Sequence, residues 1–147
     1  MPEEQAAQPE RPIFLKPGHN AGDLVQTQHW KVLEESRGRV RVDVPLPQHL
    51  LNPRNQLFGG FTGIFVDMIS IWTVRTLFED RNQFQWAATV NMRIDYFAPV
   101  LGPRFVLHGD LVNDGNTTSL VSTTFLDEGG NKLVYAITTM RKNPRRE

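Results

Sequence analysis

The chain has 147 residues, enough for one domain with a sizeable core. Its sixteen basic and sixteen acidic side chains cancel, which removes bulk charge as a reason to meet nucleic acid or an anionic membrane. Without a cysteine there is no disulfide scaffold, no thiolate nucleophile and no Cys-based zinc site.

Residues 1–22 are polar and Pro-rich, with four prolines before position 18, and are predicted to form a flexible arm. They hold no apolar run of the kind a secretory leader needs, so the expectation is a cytoplasmic protein. The domain proper is expected over 23–141, with 142–147 as a basic tail. A first strand is predicted at Gln28–Glu35, and Arg37-Gly38 supplies a turn. Arg39–Pro45 then alternates with period two, as a half-exposed strand does, and Pro45 and Pro47 end it. The loop Gln48–Leu57 leads to Gly59-Gly60 and a helix from Phe61 to Phe78, ending near Glu79. Three strands follow, Ala87–Phe97, Phe105–Asn113 and Ser119–Asp127. Glu128-Gly129-Gly130-Asn131 is a hairpin signal leading to a last strand at Lys132–Met140. The order β-β-α-β-β-β-β has no βαβ alternation, so an antiparallel six-stranded sheet must cover the one long helix, an α+β architecture.

The helix carries the function signal. Eleven of the eighteen residues in Phe61–Phe78 are large and apolar, and they fall all round the helical wheel, the mark of a buried helix. Asp67 and Arg75, together with its threonines, exclude a membrane span. One sheet of this length cannot wrap such a helix fully, so a second copy of the chain is expected to cover part of it, as a homodimer or a tetramer built from two dimers. In the middle stands Asp67, and a buried carboxylate is costly unless it is paired, hydrogen-bonded or functional. Gly59, Gly60, Gly63, Asp67, Ser70 and Val74 share one quadrant of the wheel, a small or polar stripe that admits a ligand or another backbone. The plainer alternative is tight packing on the sheet, with Asp67 bonded to a strand amide or hydroxyl.

This order of elements, with Asn52, Phe58-Gly59-Gly60 and Asp67 followed by Thr89, Ile94, Tyr96 and Pro99, resembles the hotdog-fold acyl-CoA thioesterases. The branch is that of the phenylacetate-degradation and human thioesterase-superfamily-member-two proteins, and the likeness covers roughly residues 25–140. It implies a hotdog fold, a sheet curled round a central helix, with dimers joining two sheets edge to edge. It also implies hydrolysis of acyl-CoA to free acid and CoA, with CoA entering only as part of the substrate and no separate cofactor. The pattern departs at Phe58, where the family usually has histidine. That departure supports an alternative, a non-catalytic acyl-CoA-binding module of the same fold. A dehydratase fits less well, because it needs acid–base work at two centres.

On this reading Asp67 is the general base for water or, less simply, the nucleophile. The Gly59 N–H and the helix dipole stabilise the thioester oxyanion. Thr89 holds the carboxylate or the water, although its strand parity groups it with Asn91, Arg93 and Asp95, so it needs a bulge or a cleft on that face. Asn52 orients water or the carbonyl, unless it is only a turn residue before Pro53. Phe58, Gly60 and Ser70 are expected to contact substrate. Gly60 and Asp67 are about 10 Å apart along one helix, so two helices antiparallel about a dimer axis would serve one carbonyl better. His19, His29, His49 and His108 show no metal-ligand spacing, and no metal is expected; His49, on the Asn52 loop, is the one candidate to replace the missing imidazole. No G-x-S-x-G, P-loop or G-x-G-x-x-G follows a strand, which leaves no serine-hydrolase or nucleotide signature.

Overall fold

The structure, a computed structural model, describes residues 18, 20–80, 83–84 and 86–142. The predicted arm up to residue 17 and the tail from 143 lie outside the described residues. A short helix α1 (Asn20–Leu24) is followed by β1 (Lys31–Ser36), β2 (Arg39–Pro45), α2 (Thr62–Arg75), β3 (Ala87–Tyr96), β4 (Arg104–Asp114), β5 (Thr118–Leu126) and β6 (Lys132–Lys142). The six strands form one antiparallel sheet in the order β1-β2-β4-β5-β6-β3. The expected α+β architecture stands, and β3 crosses to the far edge after the helix.

Local chemistry sets the boundaries that differ from expectation. The first strand starts at Lys31 rather than Gln28, because Gln26 takes a left-handed conformation (φ 57°) and Thr27–His29 close a 3₁₀ turn. The Trp30 indole then donates to the Val25 carbonyl (3.1 Å), pinning that turn to the core. The long helix ends at Arg75, short of Phe78. There the β1–β2 turn meets it: the Arg37 guanidinium donates to the Leu77 carbonyl, and the Gly38 amide donates to the Thr76 hydroxyl (2.8 Å). The Arg37 cation thus takes up a carbonyl just past the helix end, where carbonyls lack an intrahelical donor.

The valines of Arg39–Pro45 turn inward as the alternation predicts, with Val40, Val42 and Val44 fully buried beneath α2, while Arg41 on the other face is buried as well. In register with them, Phe105 and Leu107 of β4 face inward, and Phe125 and Val134 continue that layer across β5 and β6. Phe65 of α2 packs into this layer edge-on to Phe105 (5.4 Å) and Phe125 (6.2 Å), and stacks on Trp30 (5.9 Å). Val25 and Trp30, preceding β1, thus cover part of the helix that the sheet does not reach.

Helix and sheet approach closely at Gly109 of β4. A Cβ there would stand 2.5 Å from Ile69 Cγ2 and would also clash with the Thr73 hydroxyl. Both neighbours are β-branched and stiff in a helix, so neither can swing aside. Gly109→Ala is therefore expected to cost about 1–3 kcal/mol of stability, read as a lower denaturant midpoint at unchanged slope. An unchanged midpoint would show that the helix can lift without loss.

Single-chain packing already buries most of α2. Within it only Gly63, Ile64 and Asp67 are not buried. The helix itself thus gives no reason to require a second subunit, contrary to the argument from its wheel, since the segment before β1 supplies the missing cover. Exposed apolar side chains lie elsewhere, and three of them stand on or just past the edge strand β3: Val90, Tyr96 and Phe97 are 60%, 55% and 61% exposed.

Candidate active site

β3 runs antiparallel to α2 and meets it at three levels. The Tyr96 hydroxyl donates to the Gly59 carbonyl (2.9 Å) at the start of the helix. Met92 and Ile94 lie against Gly63, whose added Cβ would sit 3.8 Å from the Met92 sulfur. Further along, the Thr89 hydroxyl donates to Asp67 Oδ1. A β-bulge explains how Thr89 arrives there. Asn91 pairs with Thr139 and Thr89 with Met140, so Val90 is the extra residue. The bulge turns Thr89 onto the face of Met92 and Ile94 and leaves Val90 outward. Strict alternation would have placed Thr89 on the opposite face.

These contacts border a cavity of about 550 Å³. Gly60, Gly63, Ile64, Asp67, Met68 and Ile71 form its helix wall, and Thr89, Met92 and Trp86 its β3 side. Ala21 of α1 completes the lining. Apart from Asp67 and Thr89 the lining side chains are apolar. Asp67 is half-buried rather than sealed, because the cavity opens beside it. Its Oδ2 has no hydrogen-bond partner among the described residues. A carboxylate held by one hydroxyl, with its other oxygen unspent beside an apolar cavity, can accept a proton from a bound water.

At the other end of the helix wall, Gly59–Phe61 form a 3₁₀ turn that runs straight into α2. Neither Phe58 nor Phe61, the residues at the two cap positions, provides a side-chain cap. The first amides of such a helix have no intrahelical acceptor, so they point toward whatever stands at its N-terminus. Phe58 is 52% exposed and packs edge-on against Phe61 (5.7 Å), with its ring over Gly60. It is a contact at the helix start and is not among the cavity-lining residues.

The other predicted residues separate from this group. The Asn52 side-chain oxygen accepts from the Arg54 (2.9 Å) and Gln56 (3.1 Å) amides, the behaviour of a turn residue holding its own loop. Ser70 is fully buried and does not line the cavity; its hydroxyl has no partner among the described residues. The cavity keeps the Gly60, Gly63 and Asp67 part of the small-residue stripe but lies rotated by roughly 60° around the helix, onto Ile64, Met68 and Ile71. His49 bonds through Nε2 to the Leu24 carbonyl (2.7 Å), so it secures the N-terminal segment. Three basic side chains are engaged in ion pairs: Arg104 pairs with Asp43 (3.0 Å), Arg93 with Asp95 (3.3 Å) and Lys142 with Asp114 (2.6 Å). Lys142 holds the Asp114 carboxyl below its ordinary range through that bond.

Sequence reasoning missed the apolar walls. Ile64, Met68 and Ile71 follow the helical spacing from Gly60 and were legible in principle. Ala21 and Trp86 had no signal, since they reach the cavity only through the tertiary fold. Among the described residues no group of three His, Asp or Glu is placed to hold a metal ion, and no helix is long and apolar enough to cross a membrane.

No protein-family model matches the sequence, and no curated protein does. Solved structures do. A Streptococcus mutans protein bound to acetyl CoA is 23% identical, with a TM-score of 0.70 over 81% of this chain and 92% of its own. A hypothetical thioesterase from Streptococcus pneumoniae, solved with coenzyme A, is 21% identical, with a TM-score of 0.70 over 82% of this chain and 90% of its own. Zebra fish thioesterase superfamily member 2 is 20% identical, with a TM-score of 0.72 over 87% and 88%. With this likeness and the sheet curled round α2, the chain has the hotdog fold.

Proposed function

We propose that the protein is a thioesterase that hydrolyses acyl-CoA to the free acid and CoA. The observation that carries this reading is the Asp67 carboxylate, fixed by Thr89 on one oxygen and open on the other, in an apolar cavity near an uncapped helix N-terminus. The structural neighbours that hold acetyl CoA and coenzyme A support CoA esters as the ligand class.

In the proposed reaction Asp67 takes a proton from water as the water oxygen attacks the thioester carbonyl carbon. Amides at Gly59 and Gly60 bear the charge that collects on the carbonyl oxygen. Collapse of the tetrahedral adduct breaks the C–S bond and expels CoA thiolate, which receives the proton held by Asp67. A thiol with a pKa of about 8.5 is a good leaving group and needs little acid assistance, so Phe58 in place of an imidazole leaves the essential steps in place. Water, carboxylate and amides suffice, and the reading calls for no cofactor, nucleic acid or membrane. A cytoplasmic location, where acyl-CoA is at hand, belongs to the same proposal.

The two catalytic groups come from two copies of the chain. Tyr96 fixes Gly59 at one end of β3, and Thr89 fixes Asp67 toward the other. Pairing β3 with a second β3, antiparallel about its middle, sets the Gly59 end of one copy beside the Asp67 end of its partner. It also covers the exposed edge and its apolar side chains, which an isolated edge strand leaves open to association. The proposal is thus a dimer with two shared sites; a tetramer would pair two such dimers.

The test is subunit mixing. Gly59→Pro removes one amide at a helix position that tolerates proline, and Asp67→Asn removes the base. Each variant alone should be inactive in a thiol-release assay. Mixed and re-equilibrated in equal amounts, half the dimers are mixed and each has one intact site, so activity should return to about a quarter of wild type. No recovery, with exchange shown by mass, would overturn the shared site. Phe58 favours a second reading, a module that binds acyl-CoA without turnover. Tight binding with no thiol release by the wild-type protein would select it.

A further inference from the structure

The cavity does not stop at the carboxylate. Along α2 its wall continues from Asp67 to Ile71, one further turn, or about 6 Å. Because β3 is antiparallel to α2 and Thr89 stands at Asp67, the chain three residues earlier, at Trp86, extends along β3 toward Ile71. Ala21 of α1 borders the same cavity, and α1 is tied down where its Leu24 carbonyl meets the His49 ring. The arm beyond Asp67 is therefore walled by Met68, Ile71 and Trp86, with Ala21 bordering the same cavity, and none of these carries charge. Two of them belong to segments outside the sheet and α2, where side-chain size can change without disturbing the catalytic elements.

We propose that this arm receives the acyl group, that it admits an uncharged acyl chain or ring, and that Trp86 and Ala21 set the length it accepts. This rests on the thioesterase reading of the cavity. With the carbonyl at Asp67, the carbon chain runs toward Ile71 and the CoA moiety leaves along the Gly60 side. Trp86 acts as an end wall whose removal lengthens the arm. Ala21 marks a place where a larger side chain shortens it. Each methylene moved from water into such an arm improves binding about fourfold, until the wall is met. A carboxylate on the acyl tail would be stripped of water without a partner, and close to Asp67.

The experiment separates this proposal from the hydrolytic one by measuring binding and turnover independently. Affinities of non-hydrolysable S-alkyl-CoA thioethers of increasing chain length are measured by calorimetry for wild type, Trp86→Ala and Ala21→Phe. Thiol release is followed for the matching acyl-CoA series. Trp86 is 42% exposed and Ala21 is half-buried, so both variants should fold, and a melting curve checks this. Expected is a longer optimum in Trp86→Ala, gaining about fourfold per added methylene, and a shorter optimum in Ala21→Phe. S-carboxypropyl-CoA should bind at least about a hundredfold more weakly than S-butyl-CoA. Should the optimum shift while no thioester is cleaved, the acyl arm stands and the hydrolase reading falls. Folded variants with the wild-type length profile, S-carboxypropyl-CoA binding equal to S-butyl-CoA, or no thioether binding at all would overturn the proposal.

Discussion

Asp67→Asn is expected to lower kcat for acyl-CoA hydrolysis by roughly 10²–10⁴-fold, the contribution of a positioned general base. The substitution is nearly isosteric. The introduced amide would still present a carbonyl oxygen to the Thr89 hydroxyl, so the bulge, the register of β3 on α2 and the cavity shape are retained. What disappears is the ability to take a proton from water. Binding should survive, because the apolar lining does not change, and KM should move far less than kcat. Wild-type kcat in the asparagine variant would remove Asp67 from the chemistry and leave it a structural partner of Thr89. Thr89→Val is the companion measurement: the base remains but loses its anchor, so a smaller fall is expected than for Asp67→Asn.

The same pair of residues shows what could be read from the chain and what could not. Asp67 announced itself, because a carboxylate amid eleven large apolar residues is conspicuous in any sequence. Thr89 could be named only on condition, since alternation put it on the far face and nothing in Thr89-Val90-Asn91 signals a bulge. A bulge is set by how two strands pair, and pairing is a property of the folded sheet. The fold was more legible than the site. The valines of Arg39–Pro45, the Gly-Gly turn before β6 and the single helix each carry a strong local pattern, and those patterns agree on one architecture. Errors gathered where a distant contact decides: β1 begins late because Gln26 is left-handed and Trp30 is pinned, and α2 ends early where Arg37 and Gly38 bond the residues just past it. Asn52 was drawn into the site by the family resemblance and Ser70 by helical spacing. The first is spent on its own turn and the second lies in the core, two ordinary fates for small polar residues that local patterns cannot tell from catalytic ones. Ala21 and Trp86 are the reverse case, lining the cavity with no pattern to mark them.

The position of Asp67 depends in turn on a residue with no chemistry of its own. Phe65 is fully buried, two residues before the carboxylate and on the opposite side of α2, where Trp30, Phe105 and Phe125 enclose it. Phe65→Ala is expected to cost about 3–5 kcal/mol, a hundredfold or more in the folding equilibrium, because the rings around the vacancy belong to the sheet and to a pinned turn and can collapse only partly. The measurement is a denaturant midpoint with unchanged slope. A loss below about 1 kcal/mol would show that the aromatic layer repacks freely. Phe65→Leu should recover most of the stability by refilling the volume, while losing the edge-on ring contacts. If helix position governs catalysis, the leucine variant should also keep the wild-type KM but lose part of kcat, since a small shift of α2 misaligns Asp67 with the bound carbonyl more than it disturbs the apolar walls.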